Sequence, residues 1–158
     1  MTVTAVIAAG TEPSVKPATA PVSHGAIASA EIDSDALLRL VDSELAGAVT
    51  SFFGVVRNHD EGRAVVGIDY SAHPSAPDVL SALAEQFAAR PGVHAVAIEH
   101  RVGSLGVGDV ALFAAVSASH RSEAFAALSE LVDQVKTELP VWKKQYLADS
   151  TYEWSQLP

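Results

Sequence analysis

The residues of this chain that could do chemistry are cations set in an acidic background. The formal net charge is -9 and Lys and Arg together number 10. Six of those ten are Arg57, Arg101, Arg121, Lys136, Lys143 and Lys144. Four fall in one segment, where Ser119-His120-Arg121 leads through a helical pattern into Lys136-Thr137-Glu138-Leu139-Pro140-Val141-Trp142-Lys143-Lys144. A chain that is acidic overall but gathers its cations into a few clusters suits a small, specific anion, because a polyanion needs a broad basic surface. This points to an anionic substrate and away from nucleic acid. Lys136 is the leading candidate for a chemical step: an ammonium among other cations and partly withdrawn from water can act as general acid/base or as a nucleophile toward an acyl donor. The plainer reading is a solvated lysine in a last helical turn, where the helix dipole also favours it. His120 and Arg121 stand at a helix start, where free backbone N–H groups favour an anion, with simple capping as the competing role.

Other chemistries are disfavoured by what is missing. The chain has no cysteine, so disulfides, thiolate metal sites and a cysteine nucleophile are excluded, and any sulfur chemistry needs sulfur brought from outside. The turn Gly103-Ser104-Leu105-Gly106-Val107-Gly108 lacks the Gly-Lys-Ser/Thr ending of a phosphate-binding loop and reads as a hairpin connection. The six histidines show no tight ligand spacing, His94 and His100 read as ordinary strand residues, and neither a metal nor a cofactor is expected. No Gly-x-Ser-x-Gly elbow is present. Apolar runs stop well short of a membrane span and the start has no basic leader, so the cytoplasm is the expected compartment.

The elements that must position the cations follow from periodicity. At 158 residues and 49% hydrophobic, the chain suits one domain. Residues 1–28, rich in Ala and Pro, read as a flexible extension, with the functional domain at 29–158. Asp33 or Ser34 can cap a helix carrying Leu37, Leu38, Val41 and Leu45. Residues 48–56 read as a strand, 57–63 as a polar loop, and 64–70 as the return strand. A second helix is expected over 76–90, then strands at 93–101 and 109–118. The third helix, over 121–139, places Phe125, Leu128, Val132, Val135 and Leu139 on one face before Pro140 stops it. Short extended pieces follow at 142–146 and 152–154. Hairpins mixed with three main helices, without regular strand-helix-strand alternation, give an α+β class with a mostly antiparallel sheet.

Taken together the fragments resemble one known family, the large, catalytic subunit of molybdopterin synthase. They are Phe53-Gly54-Val55-Val56-Arg57-Asn58, His100-Arg101-Val102-Gly103-Ser104-Leu105, Gly108-Asp109, Ala118-Ser119-His120-Arg121, Ala124-Phe125, Asp133, Lys136 and Pro140-Val141-Trp142-Lys143-Lys144, in this order between Gly47 and Trp154. The resemblance implies a fold of the α/β hammerhead type and a homodimer that takes one small ubiquitin-like subunit per protomer. That subunit carries a C-terminal Gly-Gly thiocarboxylate as sulfur donor, and the substrate is cyclic pyranopterin monophosphate, converted to the dithiolene of molybdopterin. It further implies Lys136 and Lys143 as catalytic residues, and substrate contacts from Val55, Val56, Arg57, His120, Arg121, Lys136, Lys143, Lys144 and Gln145. Arg57 would bind the pterin or its phosphate through its planar fork; without the resemblance it reads as a strand-end arginine in a surface salt bridge. After Tyr70 the chain departs from the family pattern, with Ser71-Ala72-His73-Pro74-Ser75-Ala76 where a glutamate and then a methionine are common. The rival reading is a non-catalytic paralogue, a dimeric scaffold or sensor for a ubiquitin-like sulfur carrier.

Helix geometry adds a constraint. His120 and Lys136 lie sixteen residues apart, roughly 24 Å along a helix, too far for one pterin-sized ligand in one chain. If both serve one site, His120 and Arg121 reach it from the second protomer of a two-fold dimer.

Overall fold

The structure is a computed structural model and describes residues 20–156. Two sheets form the frame. The first has four strands in the order β1 (Val22–Ala28), β5 (Val93–Arg101), β7 (Val110–Ala118), β2 (Ala48–Val55). Only β1 and β5 run parallel in it; β5–β7 and β7–β2 are antiparallel. The second sheet runs β3 (His59–Asp60), β4 (Arg63–Ala72), β8 (Val141–Leu147), β9 (Tyr152–Gln156), with β6 (Gly103–Gly106) also paired to β4, and every pair is antiparallel. Among the described residues three helices complete the fold: α1 (Ser34–Leu40), α2 (Ala76–Ala88) and α3 (Arg121–Glu138). The α+β class with mostly antiparallel strands is as the sequence indicates.

Strands β5 and β7 are apolar on both faces because helices cover both sides of the first sheet. One face sends Val96, Ile98, Leu112, Ala114 and Val116 against Leu80, Leu83 and Phe87 of α2 and Leu128, Leu131 and Val135 of α3. The other sends Ala95, Ala97, Phe113 and Ala115 against Leu37 and Val41 at α1. Asp33 caps α1, its Oδ1 accepting from the Ala36 N–H at 2.9 Å. Pro140 follows α3, whose last residue pair turns extended at Leu139 (φ -71°, ψ 119°). A smaller cluster of Val56, Val65, Ile68, Leu105, Ala111 and Leu147 joins the two sheets. No helix among the described residues is long and apolar enough to cross a membrane.

Several boundaries differ from the sequence reading. Residues 22–28, assigned there to the flexible extension, form β1 and pair with β5 over Ala95–Arg101; residues 1–19 lie outside the described residues. The cause is packing that periodicity cannot show: Gly25 lets β1 lie directly on the backbone of α2, where a Cβ would meet the Leu80 carbonyl oxygen at 2.3 Å. Strand 64–70 does not return on 48–56. Val56 instead donates to the Asp109 carbonyl and accepts from Gly108, which holds β2 to the first sheet. Residues 59–64 then fold into their own hairpin, with Glu61 and Gly62 at φ 46° and 79°, the signs of a two-residue type I′ turn. The glycine turn after Arg101 contains β6 rather than being connection alone. Leu45 lies beyond the end of α1, and Phe125 is 63% exposed. Leu128, Val132, Val135 and Leu139 are buried as expected, and Ala124, Ala127 and Leu131 complete the buried stripe of α3 in place of Phe125.

Where the sheets meet, Tyr70 of β4 packs edge-on against His100 of β5, ring centroids 5.1 Å apart. His100 is 2% exposed, and its Nδ1 lies 2.9 Å from the Arg101 carbonyl oxygen. Burial disfavours the imidazolium and pushes its pKa from 6.5 down to about 4.

Two predictions arise here. Gly25→Ala should destabilise the protein by roughly 1–3 kcal/mol, since the added methyl meets backbone rather than a movable side chain; an unchanged thermal midpoint would show that β1 does not pack on α2 as described. His100 binds a proton more readily in the unfolded chain, so stability is complete above pH 6.5 and falls as pH drops toward about 4. Denaturant titrations at pH 7 and pH 5 should show a loss of about 2 kcal/mol that His100→Phe removes. An equal loss in both proteins would place the titration elsewhere.

Candidate active site

The seam between the sheets opens into a cavity of about 300 Å³. Its apolar floor includes Phe52, Gly54, Ile68, Ala111 and Leu112, and Tyr70 and His100 form part of the wall. Burial raises the Tyr70 phenol above its ordinary value, and the neutral His100 adds no charge at working pH. The polar side chains arrive from three directions. Arg57 and Asp60 come from the end of β2 and from β3, Lys136 from the last turn of α3, and Lys143 and Gln145 from β8.

Strand alternation decides which β8 residues face in. Val141, Lys143, Gln145 and Leu147 lie on the inner face, with Gln145 5% exposed, while Trp142, Lys144 and Tyr146 face outward. The outward Lys144 does not line the cavity. Its ammonium sits among aromatic rings, 4.0 Å from the Tyr152 centroid, 5.0 Å from Tyr146 and 5.8 Å from Trp154. Any substrate contact of Lys144 would have to come from the outer face of β8, because adjacent strand residues point to opposite sides.

Of the nine expected site residues, Val55, Val56, Arg57, Lys136, Lys143 and Gln145 line this cavity together. His120 and Arg121 do not. His120 is the N-cap residue of α3, with no side-chain capping bond, and both side chains are exposed at the end of the helix opposite Lys136. The departure at residues 71–76 lies outside the cavity: Ser71 and Ala72 end β4, and His73 and Ser75 bond each other ahead of α2.

Sequence reasoning missed Asp60, Tyr70 and His100. Asp60 was hidden in a segment read as a polar loop. Its carboxylate accepts from Arg57 Nη2 at 2.6 Å and from Gln145 Nε2 at 3.2 Å, and lies 3.8 Å from Lys143 Nζ. Those partners, the Gln145 hydrogen bond foremost, hold it below the usual carboxylate range against the opposing effect of burial. The Arg57–Asp60 spacing of three residues was the available signal. Tyr70 carried none, since its contact with His100 joins different sheets, and His100 stood only at the head of a family-like fragment.

The arrangement is an apolar slot with three cations and one carboxylate at its rim, suited to a planar ligand bearing negative charge. The family model described as MoaE protein matches residues 27–138. The molybdopterin synthase catalytic subunit of Nostoc sp. is 37% identical over 131 residues, covering 82% of this chain and 79% of its own. That of Bacillus subtilis is 32% identical over 124 residues, 78% of this chain and 79% of its own. Among solved structures, molybdopterin synthase from Staphylococcus aureus superposes with a TM-score of 0.77 at 29% identity, over 83% of this chain and 96% of that one. A complex of subunits 1 and 2 of the molybdopterin-converting factor from Helicobacter pylori has a chain of like fold, with a TM-score of 0.67 at 17% identity over 83% and 89% of the two chains. The chain belongs to the MoaE family, that of molybdopterin synthase catalytic subunits, and has an enzymatic role in molybdenum cofactor biosynthesis.

Proposed function

We propose that this chain transfers sulfur from the C-terminal thiocarboxylate of a small ubiquitin-like subunit to cyclic pyranopterin monophosphate, forming the molybdopterin dithiolene in the cytoplasm. The observation that carries the reading is the convergence of Arg57, Lys136 and Lys143, from three separate parts of the chain, on one cavity with an apolar floor. The phosphate and the developing negative charge of ring opening call for fixed cations, which Arg57 and Lys143 supply. Val55 and Val56 border the slot for the pterin, and Gln145 offers an amide. Lys136, at the cavity mouth, moves the proton or receives the acyl donor. A Gly-Gly tail, lacking bulky side chains, can thread to that mouth. The two-subunit complex from Helicobacter pylori supports a partner of this kind.

The reading also holds that the enzyme is a homodimer within a heterotetramer. Val49, Phe53 and Val55 are about half exposed along β2, the outer strand of its sheet, an apolar edge that a second copy would cover. His120 and Arg121 then complete the neighbouring protomer's site rather than their own.

Incubation with the thiocarboxylated subunit and cyclic pyranopterin monophosphate should give molybdopterin. Lys136→Ala should lower the rate by about 10²–10⁴-fold, and Lys143→Ala should also be severely impaired. Lys144→Ala should keep turnover and lose only about 0.5–1 kcal/mol of stability, as its cation–π contacts are lost. No product despite confirmed partner binding would favour the scaffold or sensor. Mixing His120→Ala with Lys136→Ala should regenerate one intact site per heterodimer; no recovery in verified heterodimers would refute the shared site.

A further inference from the structure

Asp60 is the one carboxylate among the described residues lining the cavity. One oxygen is bound to Arg57 and the other faces Gln145 and Lys143. Lys136, by contrast, has no carboxylate within ion-pair distance among the described residues. We propose that Asp60 is a positioning residue that divides the work of the two lysines, fixing Lys143 and Arg57 as standing cations and leaving Lys136 free to react.

The argument is geometric. A lysine stem has four rotatable carbons and an arginine scarcely fewer, so neither holds a cation in place unaided. Asp60 is seated by backbone pairing with Arg63 across a two-residue turn, and Gln145, buried on β8, orients its carboxylate with a hydrogen bond. The two flexible cations are thus tied to a point set by main chain. An ammonium held against a carboxylate is a poor nucleophile but a good fixed countercharge for a bound anion. The proposal rests on the sulfur-transfer reading for what Lys136 reacts with. The assignment of Asp60 can be tested without it.

Acetic anhydride in limiting amount, applied to the full chain and read out by mass spectrometry, reports the reactivity of each lysine. In the parent, Lys136 should be acetylated faster than Lys143. In Asp60→Asn, which keeps the shape and removes the charge, Lys143 should react several-fold faster while Lys136 and Lys144 are unchanged, and Asp60→Glu should restore most of the difference. Lys144 is the control, because it sits on the opposite face of the same strand. A rise in Lys143 and Lys144 together would mean that β8 has merely loosened, and an unchanged Lys143 would mean that Asp60 does not restrain it; either result overturns the proposal. In the synthase assay Asp60→Asn should lower kcat/KM about tenfold, mainly through KM. A parent protein that makes no molybdopterin but shows the expected labelling would sink the sulfur-transfer reading and leave the role of Asp60 standing.

Discussion

The register of β8 against β4 is the constraint on which the site depends. Side chains alternate strictly along a strand, so a slip of one residue would withdraw Lys143 and Gln145 from the cavity and insert Lys144. Several contacts oppose that slip. Pairing runs from Val65–Leu147 to Ala72–Val141, and the Pro140 carbonyl accepts from His73 where the strand begins. On the outer face Tyr146 donates to Asp69 at 2.6 Å, and Asp69 is held by Ser104 of β6 as well. Lys144, lodged among Tyr146, Tyr152 and Trp154, adds β9 to the same lock. Lys144 thus braces the strand on its outer face, while Lys143 beside it lines the cavity.

The cavity lies at the seam because that is where the fold has least apolar mass. The large core sits between the first sheet and helices α2 and α3, and α1 covers the opposite face. At the seam the sheets are linked by the small Val56–Leu147 cluster and by Tyr70 against His100. Polar groups brought there by strand ends remain partly hydrated, and the cost of burying their charges is correspondingly small. His100 shows the other side of this boundary. One strand deeper, it is enclosed and kept neutral.

Local features were legible in the sequence and nonlocal ones were not. The helices were readable from caps, stripes and Pro140, and most strands from their apolar runs. Which strands pair was not, since β2 and β4 are separated in the chain only by the two-residue β3 but lie in different sheets. The first strand was missed because Gly and Ala lower its apolar signal, and it is stabilised by close approach to α2 rather than by large side chains. Phe125 was misplaced because a helical wheel shows spacing and not which side faces the core. Among the site residues, resemblance located the cations, and physical reasoning separated His120 from Lys136 by helix length. Neither singled out Asp60, whose spacing from Arg57 was the one local signal and whose other partners, Gln145 and Lys143, come to it from about eighty residues away.

Ion pairing also explains how a chain of net charge -9 keeps a cationic cavity. Three of its five other guanidinium groups are engaged elsewhere. Arg63 pairs with both Asp149 and Glu153, Arg90 with Glu130 while lying 3.9 Å over the Phe87 ring, and Arg101 approaches Asp109. At the cavity Asp60 pairs with Arg57 and Lys143 while Lys136 has no carboxylate partner among the described residues, leaving an excess of positive charge in a partly desolvated slot, where Coulomb attraction to a bound anion is stronger than in open water. The net negative charge of the chain disfavours polyanions and loosely bound phosphates. The same charge distribution thus excludes the large anion and admits a small one whose ring can enter the slot.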